Sequence, residues 1–262
     1  MAKEIPGQPP FERSPRVLQL VTEIGEQVGA LQALEGKIIT PRLRRENRIQ
    51  TIHSSLAIEN NTLSLEQVTA VIEGKPVLGD PREIQEVRNA FAAYEAMDQW
   101  TFDHLEDFLR AHAILLKGLV DQAGTFRTGG VGVFRGEQLV HAAPPAGRIP
   151  ALMRNLFRWL GKTQDHLLVA SCVVHYEIEF IHPFADGNGR MGRLWQTVIL
   201  KEWKPVLANL PVESVIRERQ DRYHAVLAES DQEGSATPFV EFMLEALHDS
   251  LLQILGTDQV TD

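Results

Sequence analysis

The chain has a single cysteine, Cys172, among 262 residues. An intrachain disulfide is excluded, and a reducing compartment fits. No uninterrupted apolar run is long enough to cross a bilayer. Met1 to Gly7 lack the apolar stretch of a secretory leader. Positive charge is in deficit: 26 Lys and Arg against 35 Asp and Glu leave a net charge of -9. A nonspecific nucleic-acid binder needs a basic stripe to release phosphate counterions, so nucleic acid is not an expected partner. Internal repeats and low-complexity tracts are missing as well. What is present is a 44% share of apolar residues, enough for a sizeable core. These features predict a soluble, cytoplasmic protein with no membrane partner.

Pro6, Pro9, Pro10 and Pro15 predict a flexible arm over residues 1–15. Val17, Leu18, Leu20, Val21, Ile24 and Val28 then form an apolar stripe of helical period. A second helix is expected from Pro41 to Ile58, ended by Asn60 and Asn61. Ser64 and Gln67 have capping-box spacing at the head of a helix that runs to Glu73. Amphipathic helices are expected over 82–99 and 102–120, the latter capped by Thr101. Glycines at 124, 129, 130, 132 and 136 surround two short apolar runs, Val131–Phe134 and Leu139–Ala143. This pattern predicts a β-hairpin closed by Pro144 and Pro145. Helices resume over 149–161 and 165–180, where Pro183 ends the second and leaves His182 at its tip. A further helix is expected up to Trp203, and two or three more over 212–229 and 237–255. The fold class is all-α with one small hairpin. It divides into the arm, a helical region over 16–100 and a main domain over 101–262.

The densest chemistry lies in His182, Pro183, Phe184, Ala185, Asp186, Gly187, Asn188, Gly189 and Arg190, followed by Met191, Gly192 and Arg193. The three glycines match G-x-G-x-x-G. The dinucleotide fingerprint, however, needs a preceding strand in a βαβ unit, and the flanks here read as helix. A P-loop is absent too: Leu156 stands where the first glycine ahead of Gly161, Lys162 and Thr163 belongs. Asp186, just before the glycines, would repel a pyrophosphate unless a cation lay between them. Mg²⁺ uses one or two carboxylates and completes its shell with phosphates and water. On that reading Asp186 is a metal ligand. Gly187, Asn188 and Gly189 form an anion nest at a helix N-terminus. Arg190 and Arg193 clamp phosphate oxygens, and His182 is a base suited to neutral pH. Taken singly, each has a structural explanation: a helix-end histidine, an Asp-Gly turn, a solvated arginine face. Together they are the parts of phosphoryl or nucleotidyl transfer. His175 and Glu179, although spaced i,i+4, are assigned to packing and local hydrogen bonds.

The segment resembles the Fic family signature, H-x-F-x-[D/E]-G-N-G-R-x-x-R, at every specified position, and the resemblance extends from about residue 40 to the C-terminus. It implies an all-α Fic domain with a hairpin flap. The implied reaction moves AMP from ATP to a Ser, Thr or Tyr hydroxyl of a target protein. His182 would deprotonate that hydroxyl, and Asp186 would hold Mg²⁺. Gly187, Asn188 and Gly189 would bind phosphate oxygens, Arg193 the γ-phosphate, with Arg190 ordering the cradle. Phe184 is implied as an apolar anchor of the loop. Leu139, Val140, His141 and Ala142 fall where flap backbone touches the nucleotide and a target segment docks as an added strand. Tyr223 and His224 fall where family members often carry two tyrosines near base and ribose, and His224 departs from that pattern. Asp231 is implied at the adenine edge. Self-modification and self-association are further expectations.

Ser55, Glu59 and Asn60 resemble the family's inhibitory helix, [S/T]-x-x-x-E-[G/N]. Glu59 is expected to pair with Arg193 and to place negative charge where the γ-phosphate belongs. Alternative outcomes on the same fold are hydrolytic removal of AMP and transfer of another phosphate-linked group. An alternative of a different class is a non-catalytic module that senses nucleotide.

Overall fold

Local signals set most of the helix starts. Thr40 accepts a bond from the Leu43 amide (3.1 Å) ahead of Pro41, which opens α2 (Pro41–Ile58) after α1 (Pro15–Ala33). Ser64 and Gln67 form a reciprocal capping box on α3 (Leu65–Ile72). Asp80 caps α4 (Pro81–Glu95) through the Arg82 amide. The remaining helices are α5 (Leu105–Leu115), α6 (Ile149–Leu160), α7 (Leu167–Ile181), α8 (Asn188–Trp203), α9 (Val212–Glu218), α10 (Gln220–Glu233) and α11 (Thr237–Gly256). The computed structural model describes residues 8–33, 40–130, 132–135 and 138–256.

Helix α7 is apolar around most of its circumference, and buried positions run from Leu168 to Ile181. A helix of that composition belongs inside a core. It packs against α6, α8 and α11, while α1 covers α11. Helix α2 packs on α9 and α4, and α4 on α5. Trp159, Trp195, Phe108 and Phe184 are fully enclosed. Each such side chain stabilises the fold by roughly 1.5–3 kcal/mol through burial. Among the described residues no helix is long and apolar enough to cross a membrane.

Strands β1 (Gly132–Arg135) and β2 (Gln138–Ala142) pair antiparallel, with Val133 opposite His141 and Phe134 opposite Leu139. The register shift between those pairs makes Val140 the extra residue of a bulge. Strand β2 lies alongside α10. Val131 and Gly136, at the expected start and turn of this hairpin, lie outside the described residues, as do residues 1–7 of the expected arm.

Several expectations need correction. Thr101 is not a helix cap: α5 begins at Leu105 after His104, and the Thr101 amide donates to Asp107 Oδ2 (3.0 Å). The helix expected over 82–99 ends at Glu95, with a separate 3₁₀ turn over Met97–Gln99. The 212–229 stretch is two helices, because Arg219 (φ -115°, ψ 31°) leaves the helical region between them. The arm is anchored from Pro10 onward: Pro10 O accepts from Ala236, the Glu12 amide donates to Thr237 Oγ1, and Phe11 packs edge-on against Trp159.

Candidate active site

The junction of α7 and α8 gathers the chemistry. His182 caps α7 in the left-handed conformation (φ 49°, ψ 61°), which turns the chain sharply out of the helix. For a non-glycine residue that conformation must be held by its surroundings. Arg127 supplies much of the hold. It is 5% exposed, and its Nε donates to His182 O (2.7 Å). Its Nη1 and Nη2 donate to Gly129 O and Pro144 O (2.7 Å each), at the two ends of the hairpin segment, and its own amide donates to Pro183 O (2.9 Å).

The loop is closed by its own side chains. Asn188 Oδ1 accepts from the Phe184 amide (2.9 Å) and Asn188 Nδ2 donates to Phe184 O (3.0 Å). The Asn188 side-chain amide is therefore committed to the loop. Phe184 is buried and stacks on His112 (3.6 Å between centroids, 8° between planes). The Gly124 amide donates to His112 Nδ1 (2.8 Å), so that nitrogen carries no proton. His112 Nε2–H then donates to Asp186 O (3.1 Å). Burial lowers the His112 pKa to about 4, which keeps this neutral tautomer in place.

Gly187 (φ 83°) precedes α8 in a conformation that favours glycine. As at any helix start, the first N–H groups, here of Asn188, Gly189 and Arg190, have no intrahelical partner. Their dipoles favour an anion. In this structure carboxylate oxygens lie beside Gly189. A Cβ on Gly189 would collide with Glu59 Oε1, and Glu179 Oε1 and Arg193 Nη1 would each be 3.1 Å from it. Glycine at this position lets acidic oxygens reach the backbone.

Arg193 lies under that cradle, with its side chain 1% exposed. Its Nε donates to Ser55 Oγ (2.9 Å), and its Nη2 donates to Ser55 O (3.0 Å) and Glu59 Oε1 (2.7 Å). Its Nη1 is buried with no hydrogen-bond partner among the described residues. Glu59 can reach it because α2 ends there: Glu59 is the last residue before Asn60 turns left-handed (φ 67°). Arg190 is 5% exposed, with Nη2 on Asp186 Oδ1 (2.7 Å) and Nη1 on Glu86 Oε1 (3.2 Å), and its Nε is likewise orphaned. Orphaned buried donors are costly and point to a ligand that completes them. Asp186 Oδ2 faces outward to Arg82 Nη2 (3.2 Å). Among the described residues no three His, Cys, Asp or Glu side chains gather as a metal site.

His182, Asp186 to Arg190, Arg193, Ser55 and Glu59 thus come together. Of the later candidates, Tyr223 reaches that cluster through Glu179. Tyr223 is a core residue, 2% exposed, rather than a surface on which a nucleoside rests. Its hydroxyl sits between His175 Nε2 (3.0 Å) and Glu179 Oε1 (3.2 Å), bracing the cradle from behind. His175, its pKa lowered to about 3 by burial, packs there with Gln196, as its reading as a packing residue requires. His224 is exposed on α10. Asp231 accepts from the Tyr176 hydroxyl (2.9 Å). Leu139 to Ala142 form β2. Arg127, His112, Glu86, Arg82 and Glu179 escaped the sequence reading as contributors to the site. Only the i,i+4 spacings of Arg82 with Glu86 and of His175 with Glu179 hinted at any of them.

A helical fold that turns sharply from a buried helix into a glycine-rich helix start can be compared with known proteins. The Fic/DOC family model matches residues 101–200. A Fic family protein from Desulfovibrio desulfuricans G20, known from its crystal structure, is 63% identical. That match covers 97% of this chain and 78% of the other, at a TM-score of 0.93. The chain belongs to the Fic family. Fic-1 (aa134 - 508) from C. elegans shares the fold at a TM-score of 0.74 and 22% identity, over 94% of this chain and 74% of that one. The protein adenylyltransferase Fic of Drosophila mojavensis is 30% identical over 258 residues, which is 92% of this chain and 49% of the relative. This chain spans about half the length of the curated relatives it matches.

Proposed function

We propose that the chain is a protein adenylyltransferase held in check by Glu59. The observation that carries this reading is the cradle at the start of α8. Backbone N–H groups begin the helix there, the orphaned Arg193 Nη1 lies beside Gly189, and Glu59 Oε1, bonded to Arg193, lies against the same glycine. Relatives named protein adenylyltransferase support the choice of reaction.

In this reading ATP lays its phosphates along residues 187–190 and its γ-phosphate on Arg193. The target's hydroxyl oxygen attacks the α-phosphorus, pyrophosphate leaves, and His182 takes the hydroxyl proton. Arg127 acts through His182 by fixing its backbone. Asp186 Oδ2 fits a Mg²⁺ ligand, since the partner it must give up, Arg82, is half exposed. When bound, Mg²⁺ would neutralise charge on the α- and β-phosphates. Backbone of Leu139, Val140, His141 and Ala142 covers the nucleotide and docks the target's segment, with His224 and Asp231 toward the nucleoside. Glu59 competes with the γ-phosphate for Arg193, so the resting chain binds ATP without aligning it. The reading puts the protein in the cytoplasm, acting on another protein or on itself.

The test is incubation of Glu59→Gly with labelled ATP, Mg²⁺ and a cell lysate, followed by mass spectrometry of the labelled proteins. An adduct of AMP mass that disappears in Glu59→Gly/His182→Ala is the expected result. A phosphate adduct, or release of AMP from a modified protein without transfer, would replace this reading with one of its alternatives. Nucleotide binding with no turnover in Glu59→Gly would leave a sensing module.

A further inference from the structure

Asp186 has two carboxylate oxygens with different neighbours. Oδ1 is held from the interior by Arg190, which is 5% exposed and also bonded to Glu86. Oδ2 faces Arg82 Nη2 at 3.2 Å, and the Arg82 side chain is 54% exposed. A hard cation needs an oxygen that also looks toward water and phosphate, and on Asp186 that oxygen is Oδ2. We infer that Arg82 is a positioning residue of the metal site: its guanidinium stands in the place a divalent cation must take on Asp186, and the cation enters as Arg82 leaves. The inference rests on the reading of Asp186 as the metal ligand.

The charges support this exchange. Asp186 and Glu86 carry two negative charges, and Arg82 and Arg190 carry two positive ones, so the quartet is neutral at rest. A divalent cation added beside Arg82 would put two uncompensated charges against a guanidinium in a partly desolvated spot. With Arg82 swung out, the excess is one positive charge, which an incoming polyphosphate offsets. Arg190 cannot make this exchange, because it is buried and shared between Asp186 and Glu86. Arg82 can. Its backbone is fixed by the Asp80 cap (2.8 Å), and its other side-chain contacts are the carbonyl of Leu119 (3.3 Å) and Glu86 Oε1 (3.9 Å). The free chain is thereby set against binding metal alone, and favours metal arriving with nucleotide.

The test is Mn²⁺ binding to the full chain without nucleotide, followed by electron paramagnetic resonance of the free ion. Arg82→Gln should bind Mn²⁺ more tightly than the unmodified chain, by roughly two- to fivefold, the range expected for a half-exposed pair. Asp186→Asn should lose that binding in either background. Unchanged Mn²⁺ affinity in Arg82→Gln, with binding still lost in Asp186→Asn, overturns the inference and leaves the metal reading standing. Binding that is indifferent to Asp186→Asn overturns both. Arg82 is exposed enough that its variant should fold, and a thermal melt alongside the titration checks this.

Discussion

Of the ion pairs that join the N-terminal helices to the α7–α8 segment, two differ in sign and in depth. At the end of α2, Glu59 sends an anion to Arg193, whose side chain is 1% exposed. At the start of α4, Arg82 sends a cation to Asp186, whose side chain is 36% exposed. Removing the anion from the inner pair leaves a buried guanidinium without its partner, a costly state that a phosphate oxygen relieves. The outer pair is screened by water and holds weakly. The inner pair is therefore suited to an on–off threshold for nucleotide alignment, and the outer one to a modest bias on metal entry. On the proposed function, the same helical region would act on both charges of a metal–nucleotide complex, with unequal force.

The largest expected effect lies outside both pairs. In the Glu59→Gly background, His182→Ala should cut AMP transfer by about 10²–10⁴-fold, the usual contribution of a general base. Transfer at the parent rate would remove His182 from the reaction and leave the two pairs with nothing to gate. Ser55→Ala deletes one of three contacts to Arg193 while Glu59 stays. Its gain in transfer should be smaller than that of Glu59→Gly; an equal gain would mean that the helix end as a whole, not the carboxylate, sets the threshold. A still smaller effect concerns stability. His112 has its pKa lowered from 6.5 to about 4 by burial. As pH falls through about 6.5 the unfolded chain takes up a proton that the folded chain refuses until about 4, so stability falls across that window. The slope is at most about 1.4 kcal/mol per pH unit for one histidine. Thermal melts of His112→Gln should show a shallower slope between those pH values; an unchanged slope would deny His112 its neutral role under Asp186.

What the sequence revealed follows from where the information is local. The Ser64–Gln67 capping box, the break at Pro183 and the left-handed turn at Asn60 each depend on residues within a few positions. The pairing of Glu59 with Arg193 spans 134 positions and was legible only through resemblance to a family pattern. Arg127 carries no pattern of its own, and Arg82 only its i,i+4 spacing to Glu86. Arg127 reads as one more charge in a glycine-rich loop, yet it is buried and bonded to the carbonyl of His182, 55 positions on. Tyr223 read as a nucleoside contact because of its place in the chain, whereas packing against Phe239 and His175 draws its ring inward. Thr101 had a capping residue's identity, but Asp107 took its amide instead.

The inner pair is best judged by the initial rate of transfer from α-labelled ATP, comparing Glu59→Gly with the unmodified chain at equal ATP and Mg²⁺. If Glu59 withholds Arg193 from the γ-phosphate, the rate should rise by roughly 5- to 150-fold, the span of a typical coupling between two sites. An equal rate in the two proteins would show that the buried ion pair restrains nothing.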